Sequence, residues 1–281
     1  MINTPHLPPR RLGTLERPGC RIHYEVTGSG AAIVFLHGLG GNQQSWFQQV
    51  AHFSRHFTCV TFAARGFAPS SPVVGGPEPN DYAGELAALI EHLGLSHVAL
   101  VGQSMGGWGS LEYAISHPGK VRALVLAATV GTIDPHKIVE PERGRLAIWQ
   151  TESQAKAEKL MAANVHVAAG AQMAAEQPSM HLLYRHIDDA NATLDKQALL
   201  AKLWAARVRP PADLNLAQCP VLFISGDEDI VIPPFAADAI ARVAPGAKVA
   251  HIVDAGHSAY FERAEKFNAI VEQFLTATRP V

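Results

Sequence analysis

The stretch that most restricts the fold of this chain is Val98 to Gly107, VALVGQSMGG. Its first four residues, Val98-Ala99-Leu100-Val101, form an apolar run of the kind that becomes a buried strand. From Met105 onward, Trp108, Leu111, Glu112, Tyr113 and Ala114 suit a helix. Only Gly102-Gln103-Ser104-Met105-Gly106 links the two. A strand that turns at once into a helix brings two backbones together, and glycines two residues either side of the apex remove the Cβ atoms that would collide. The apex residue is left on a strained turn with its side chain exposed. Here it is Ser104, so the pattern presents a hydroxyl for attack.

The remaining chain repeats the same alternation. Arg11 to Glu16 and Arg21 to Val26 read as two strands joined at Pro18-Gly19, after a loose arm over residues 1–10 that carries three prolines. Buried strands follow at Ala31 to Leu36 and Phe57 to Phe62, with a helix between them over Gln43 to His52. A helix over Asp81 to Leu93, closed by Gly94, precedes the Ser104 strand. After the helix from Met105 to His117 comes a strand over Val121 to Ala128. The strand pattern returns at Pro220 to Ser225 and Lys248 to Val253, with helices at Phe235 to Ala244 and Glu262 to Leu275. Strands alternating with helices predict right-handed crossovers and a mostly parallel sheet covered on both faces. Between residues 131 and 211 the chain is rich in Ala, Gln, His and Met and holds no convincing buried strand. It reads as a helical insertion, leaving residues 1–130 and 212–281 as the core domain.

At 281 residues, 48% hydrophobic and 17% charged, the chain can bury a large core. A formal net charge of −2 carries no signature of nucleic-acid or anionic-membrane partners. No apolar run reaches the length of a membrane span. Arg10-Arg11 is followed by Leu12-Gly13-Thr14-Leu15-Glu16 rather than by an apolar segment, so no export signal is expected. Cys20, Cys59 and Cys219 are widely spaced and odd in number, which points to free thiols in a reducing cytoplasm. No metal is expected: His181 and His186 are five apart and do not share a helix face. No phosphate-binding glycine loop and no cofactor are expected either.

A serine hydroxyl needs a base to take its proton, and the base needs a third group to orient it. Among 14 histidines, His257 directly follows the strand Lys248 to Val253, on the sheet edge to which Ser104 also belongs. His37 follows a strand too, but the glycines after it suggest a backbone role. After the strand ending at Ser225 stand three carboxylates, Asp227, Glu228 and Asp229, of which at most one can be the orienting acid. Asp134 is a weaker rival, several residues beyond its strand.

At these residues the chain resembles the α/β-hydrolase superfamily, in particular serine esterase-like members with a helical cap domain. The resemblance covers roughly residues 20–130 and 212–278, and the order serine, acid, histidine is that of the family. It implies an eight-stranded, mostly parallel sheet and places the catalytic acid at Asp229, within Gly226-Asp227-Glu228-Asp229, beside Ser104 and His257. His37-Gly38-Leu39 resembles the family's oxyanion segment, which implies that the backbone N–H groups of Leu39 and Met105 hold the oxyanion. One segment departs from the pattern: where many relatives carry Asp-x-Arg-Gly-x-Gly-x-Ser, this chain reads Ala63-Ala64-Arg65-Gly66-Phe67-Ala68-Pro69-Ser70.

The expected activity is hydrolysis of a carboxylic ester of a small to medium apolar substrate through an acyl-enzyme. A lactone, a thioester or a carbon–carbon bond could be cleaved on the same triad, and a weakly catalytic receptor of the same fold is the alternative from another class. The expected partner is a small-molecule ester or lactone. Gly38, Trp149 and Trp204 are the candidates for substrate contact, with Met161, Met173 and Met180 as further apolar residues of the insertion.

Overall fold

Eight strands form one sheet: β1 (Arg10–Arg17), β2 (Cys20–Thr27), β3 (Ala32–Leu36), β4 (Thr58–Phe62), β5 (Val98–Gln103), β6 (Val121–Ala127), β7 (Val221–Gly226) and β8 (Lys248–Ile252). Their order across the sheet is β1-β2-β4-β3-β5-β6-β7-β8. The hairpin β1–β2 and the pair β2–β4 are antiparallel, and the other pairs are parallel. This computed structural model describes residues 8–137, 142–216, 219–244 and 246–278, so most of the expected N-terminal arm lies outside the described residues.

The central strands are apolar because both faces are covered. Val34, Leu100 and Leu124 pack into a core on one face, with Leu86 and Leu89 of helix α2 (Tyr82–His92) and Leu111 of helix α3 (Gly106–Ser116). Ile33, Val101 and Val125 face the other side, against Trp46, Phe53 of α1 (Phe47–Phe53), and Phe267 and Val271 from the C-terminal helix. Burying each such side chain contributes about 1.5–3 kcal/mol. Period-2 alternation of faces along β3 and β5 therefore decides which helix layer each residue meets.

Three boundaries differ from the periodic reading, each for a local reason. β5 continues to Gln103 because Gly102 and Gln103 still pair with Leu126 and Ala127 of β6. The expected helix at 43–52 begins as a 3₁₀ turn, Gln43–Trp46, fixed by Asn42: its side chain accepts from Gln44 N while its own amide donates to Ser45 Oγ. The last helix is preceded by a separate turn, α9 (Ala259–Glu262), and α10 (Ala264–Ala277) starts only after Arg263, whose φ of −131° and ψ of 53° interrupt the helix.

Between β6 and β7 the described residues form helices α4 (Glu142–Ala162), α5 (Ala171–Glu176), α6 (Pro178–Asp189) and α7 (Lys196–Ala205), with α8 (Phe235–Ala241) following β7. The chain leaves and re-enters the sheet layer side by side. Ile133 bridges to Arg209, Arg209 N donates to Thr132 O at 3.0 Å, and the Arg209 guanidinium binds both oxygens of Glu112 on α3. Among the described residues no helix is long and apolar enough to cross a membrane.

Candidate active site

The turn after β5 carries the strain its sequence implies. Ser104 has φ +48°, a left-handed conformation uncommon outside glycine. Its amide donates to Ala127 O at 2.9 Å, and its carbonyl accepts from Gly107 N at 2.9 Å, so both neighbours hold the turn. A Cβ at Gly106 would stand 2.2 Å from Leu36 O, and one at Gly102 would stand 2.7 Å from Gly106 O. The two glycines are thus demanded by backbone contact. Met105 is the N-cap of α3, so its amide belongs to the first turn, where no intrahelical acceptor exists and the helix dipole is positive.

His257, 5% exposed, and Asp229, 3% exposed, meet at the ends of β8 and β7. His257 Nδ1 donates to Asp229 Oδ2 at 2.9 Å. The other carboxylate oxygen, Oδ1, accepts from the amides of Val231 at 2.7 Å and Ile232 at 2.9 Å, so the acid is held from both sides. The remaining ring nitrogen, Nε2, is left for a second partner, and His257 and Ser104 line the same cavity of about 370 Å³. Gln103, next to Ser104, donates from Nε2 to His257 O at 3.1 Å and so ties the two segments together.

The rival acids lie elsewhere. Asp227 pairs with His251 Nδ1 at 2.9 Å, Glu228 accepts from Gln172 Nε2 at 2.8 Å, and Asp134 Oδ1 accepts from the amide of His136.

The His37-Gly38-Leu39 segment packs against the Ser104 turn. A Cβ on Gly38 would come within 2.1 Å of Gln103 Oε1 and 3.2 Å of Ser104 Cβ. His37 Nε2 accepts from Ala64 N at 2.9 Å, so its proton is on Nδ1, which donates to Gly38 O at 2.8 Å. Burial pushes its pKa down to about 4, outweighing the bond to Gly38 O. His37 is therefore a neutral buttress for the loop. The segment with Ala63 and Ala68 is held by other means. Arg65 donates from Nη1 to Pro18 O at 3.0 Å and pairs with Glu85, which also binds Arg17, and Ala68 N donates to Asn191 Oδ1 at 2.8 Å.

Of the candidates for substrate contact, Trp204 lines the cavity with Leu39, Met105 and Trp108. Gly38 is absent from its wall because it is wedged behind Gln103, and Leu39 and Gly40 face the space instead. Trp149 is also elsewhere: the indole Nε1 donates to Asp229 O at 3.4 Å while the ring lines a separate depression with Asp227 and Phe235. Met173 is buried in the core, Met180 packs against it, and Met161 is exposed.

Two residues that sequence reasoning passed over belong to this neighbourhood. Glu262 Oε2 accepts from Gly256 N at 2.8 Å and Oε1 from Ser258 N at 3.0 Å, so one buried carboxylate grips the backbone on both sides of His257. Burial pushes its pKa up to about 8, although the two amides favour the anion. Arg207, 9% exposed, lines the cavity wall.

A family model described as "alpha/beta hydrolase fold" matches residues 31–264. The chain is 29% identical over 278 residues to a putative non-heme bromoperoxidase, BpoC, of Mycobacterium tuberculosis, covering 91% of this chain and 98% of that one. Among solved structures it is similar to a thermophilic esterase from Thermogutta terrifontis, with a TM-score of 0.73, 24% identity and coverage of 97% and 100%. It is also similar to an enol-lactonase from Burkholderia xenovorans LB400, with a TM-score of 0.72, 22% identity and coverage of 94% and 100%.

Proposed function

The chain belongs to the α/β-hydrolase fold family, and on that premise we propose that it is a serine hydrolase of carboxylic esters, cyclic esters included, working through an acyl-enzyme. One observation carries the reading. Asp229 is bonded to His257 Nδ1 at 2.9 Å, and the same imidazole shares a cavity with Ser104 on its strained turn.

In the first half-reaction Ser104 Oγ adds to the acyl carbon as its proton passes to His257 Nε2. The carbonyl oxygen takes the negative charge, facing the amides of Leu39 and Met105. Preorganised donors of this kind are worth about 3–4 kcal/mol each in the transition state. The C–O bond to the alcohol then breaks, and the His257 proton goes to the leaving oxygen. In the second half a water gives its proton to His257 and its oxygen to the acyl carbon. Collapse returns the proton to Ser104 Oγ and releases the acid. Asp229 keeps Nδ1 protonated throughout, so that Nε2 is the basic nitrogen. The helices between β6 and β7 act in this reading as a cap over the reacting atoms, through Trp204 and the residues around it.

A fluorophosphonate should label the protein once, on the peptide bearing Ser104, and Ser104→Ala should lower ester turnover by about 10⁶. Labelling of another residue, or substantial turnover in the Ala variant, would remove Ser104 from the chemistry.

A further inference from the structure

Among the described residues Arg207 is a cation without a carboxylate. Its guanidinium carbon sits 4.0 Å from the centroid of Trp204 and 4.8 Å from that of Trp108, over both indole rings. Its Nε is buried and has no hydrogen-bond partner. Three other arginines show the usual arrangement: Arg65 and Arg17 share Glu85, and Arg209 holds Glu112 and Asp213. Among the described residues Arg207 has no such anion, and burial alone lowers its pKa to about 10, leaving it charged at neutral pH.

A buried, unpaired charge is costly, and stacking on aromatic faces compensates only part of the lost hydration. A π contact uses none of the guanidinium N–H groups, a planar fork that matches a carboxylate. The surrounding wall adds to the imbalance. Asp188 also lines the cavity, but Lys196 Nζ already holds it at 2.6 Å and His166 stands 3.6 Å away. The space beside Ser104 therefore carries one positive charge that the described residues leave unanswered.

From this, and resting on the ester-hydrolase reading above, we propose that the substrate carries a carboxylate in addition to the scissile ester, and that Arg207 binds it. The class is that of half-esters of short dicarboxylic acids or lactones bearing an acid group. At about 370 Å³ the cavity has room for a molecule of that size. Such a substrate completes the ion pair while its apolar segment lies along Leu200, Leu203 and the two indoles.

The test compares two activated esters on one protein: the mono-p-nitrophenyl ester of glutaric acid and p-nitrophenyl pentanoate, each corrected for its spontaneous hydrolysis. The wild type should favour the anionic ester in kcat/KM by about tenfold or more, the scale of a charge-assisted hydrogen-bond pair. In Arg207→Met the ratio of the two should fall to about one or below, and Arg207→Lys should recover part of it. A wild-type ratio at or below one overturns the proposal even where the Met variant does not fold, and so does a ratio that Arg207→Met leaves unchanged. Failure of the underlying reading looks different. Neither ester would then be turned over, and the fluorophosphonate would leave Ser104 unlabelled.

Discussion

Asp229 and Asp227 stand two residues apart on one loop and serve different histidines: Asp229 Oδ2 accepts from His257 Nδ1, and Asp227 Oδ1 from His251 Nδ1, both at 2.9 Å. The difference in surroundings is large. Asp229 is buried and takes two further amides, whereas the Asp227 side chain is 42% exposed. Replacement by Asn keeps shape and removes charge. At Asp229 an amide can donate toward the ring and favour the wrong tautomer, which costs about 10⁴ in kcat.

Asp229→Asn is therefore expected to lose about four orders of magnitude in ester turnover. Asp227→Asn should stay within about tenfold of wild type, since an exposed pair is worth at most about 1 kcal/mol. Steady-state kinetics on p-nitrophenyl acetate would check both. If Asp227→Asn were the more damaging, Asp227 and not Asp229 would be the orienting acid.

The turn at Ser104 makes a prediction about backbone contact. A methyl group at Gly106 would lie 2.2 Å from Leu36 O and 2.6 Å from its carbonyl carbon, and Leu36 is held in β3 by its pairing with Gly102 of β5. Gly106→Ala should cost more than about 3 kcal/mol or prevent folding, as overpacking against backbone does at its upper end. The contrasting position is Gly84, exposed in α2, where a Cβ meets nothing within 4 Å. Gly84→Ala should stabilise by about 0.5–1 kcal/mol through helix propensity alone. Urea denaturation of the two variants separates the cases. A Gly106→Ala protein as stable as wild type would refute the close approach.

Much of this was legible because the relevant forces are local. Gly102 and Gly106 announce the turn because they sit within four residues of each other and of Ser104. The strands are visible because central parallel strands are apolar on both faces. His257 is legible from its place after a strand, and Asp229 from its spacing to Gly226 within the segment that resembles the family's. Glu262 stayed hidden because its partners are the amides of Gly256 and Ser258, and a backbone acceptor leaves no mark on the residues around it. Arg207 stayed hidden for a related reason. In the run Trp204-Ala205-Ala206-Arg207 it reads as an ordinary solvated charge, and only its stacking on Trp108, nearly a hundred residues earlier, buries it. Trp149 shows the converse: an aromatic in the insertion can face the cavity or a separate depression beside Asp227 and Phe235, and hydrophobicity does not say which.

Glu262 supplies a prediction whose sign follows from its titration. Its folded pKa, raised to about 8 by burial, lies above the ordinary value of 4.5. Between those values the native state keeps a proton that the unfolded chain has lost, so this group's contribution to stability is full below about 4.5 and is lost as pH rises toward 8. The slope is at most about 1.4 kcal/mol per pH unit. Glu262→Gln does not titrate. It should be less stable than wild type at pH 5 by about 1–3 kcal/mol, because one amide oxygen cannot satisfy both Gly256 N and Ser258 N and a buried donor is left unpaired. As pH rises from 5 to 8 the wild type should lose ground to the variant, and the gap between them should narrow or reverse. Urea midpoints for the two proteins at pH 5, 6, 7 and 8 would measure this directly. A gap that stays constant or widens across that range would mean that Glu262 is already ionised in the native state, held as an anion by the two amides that bracket His257.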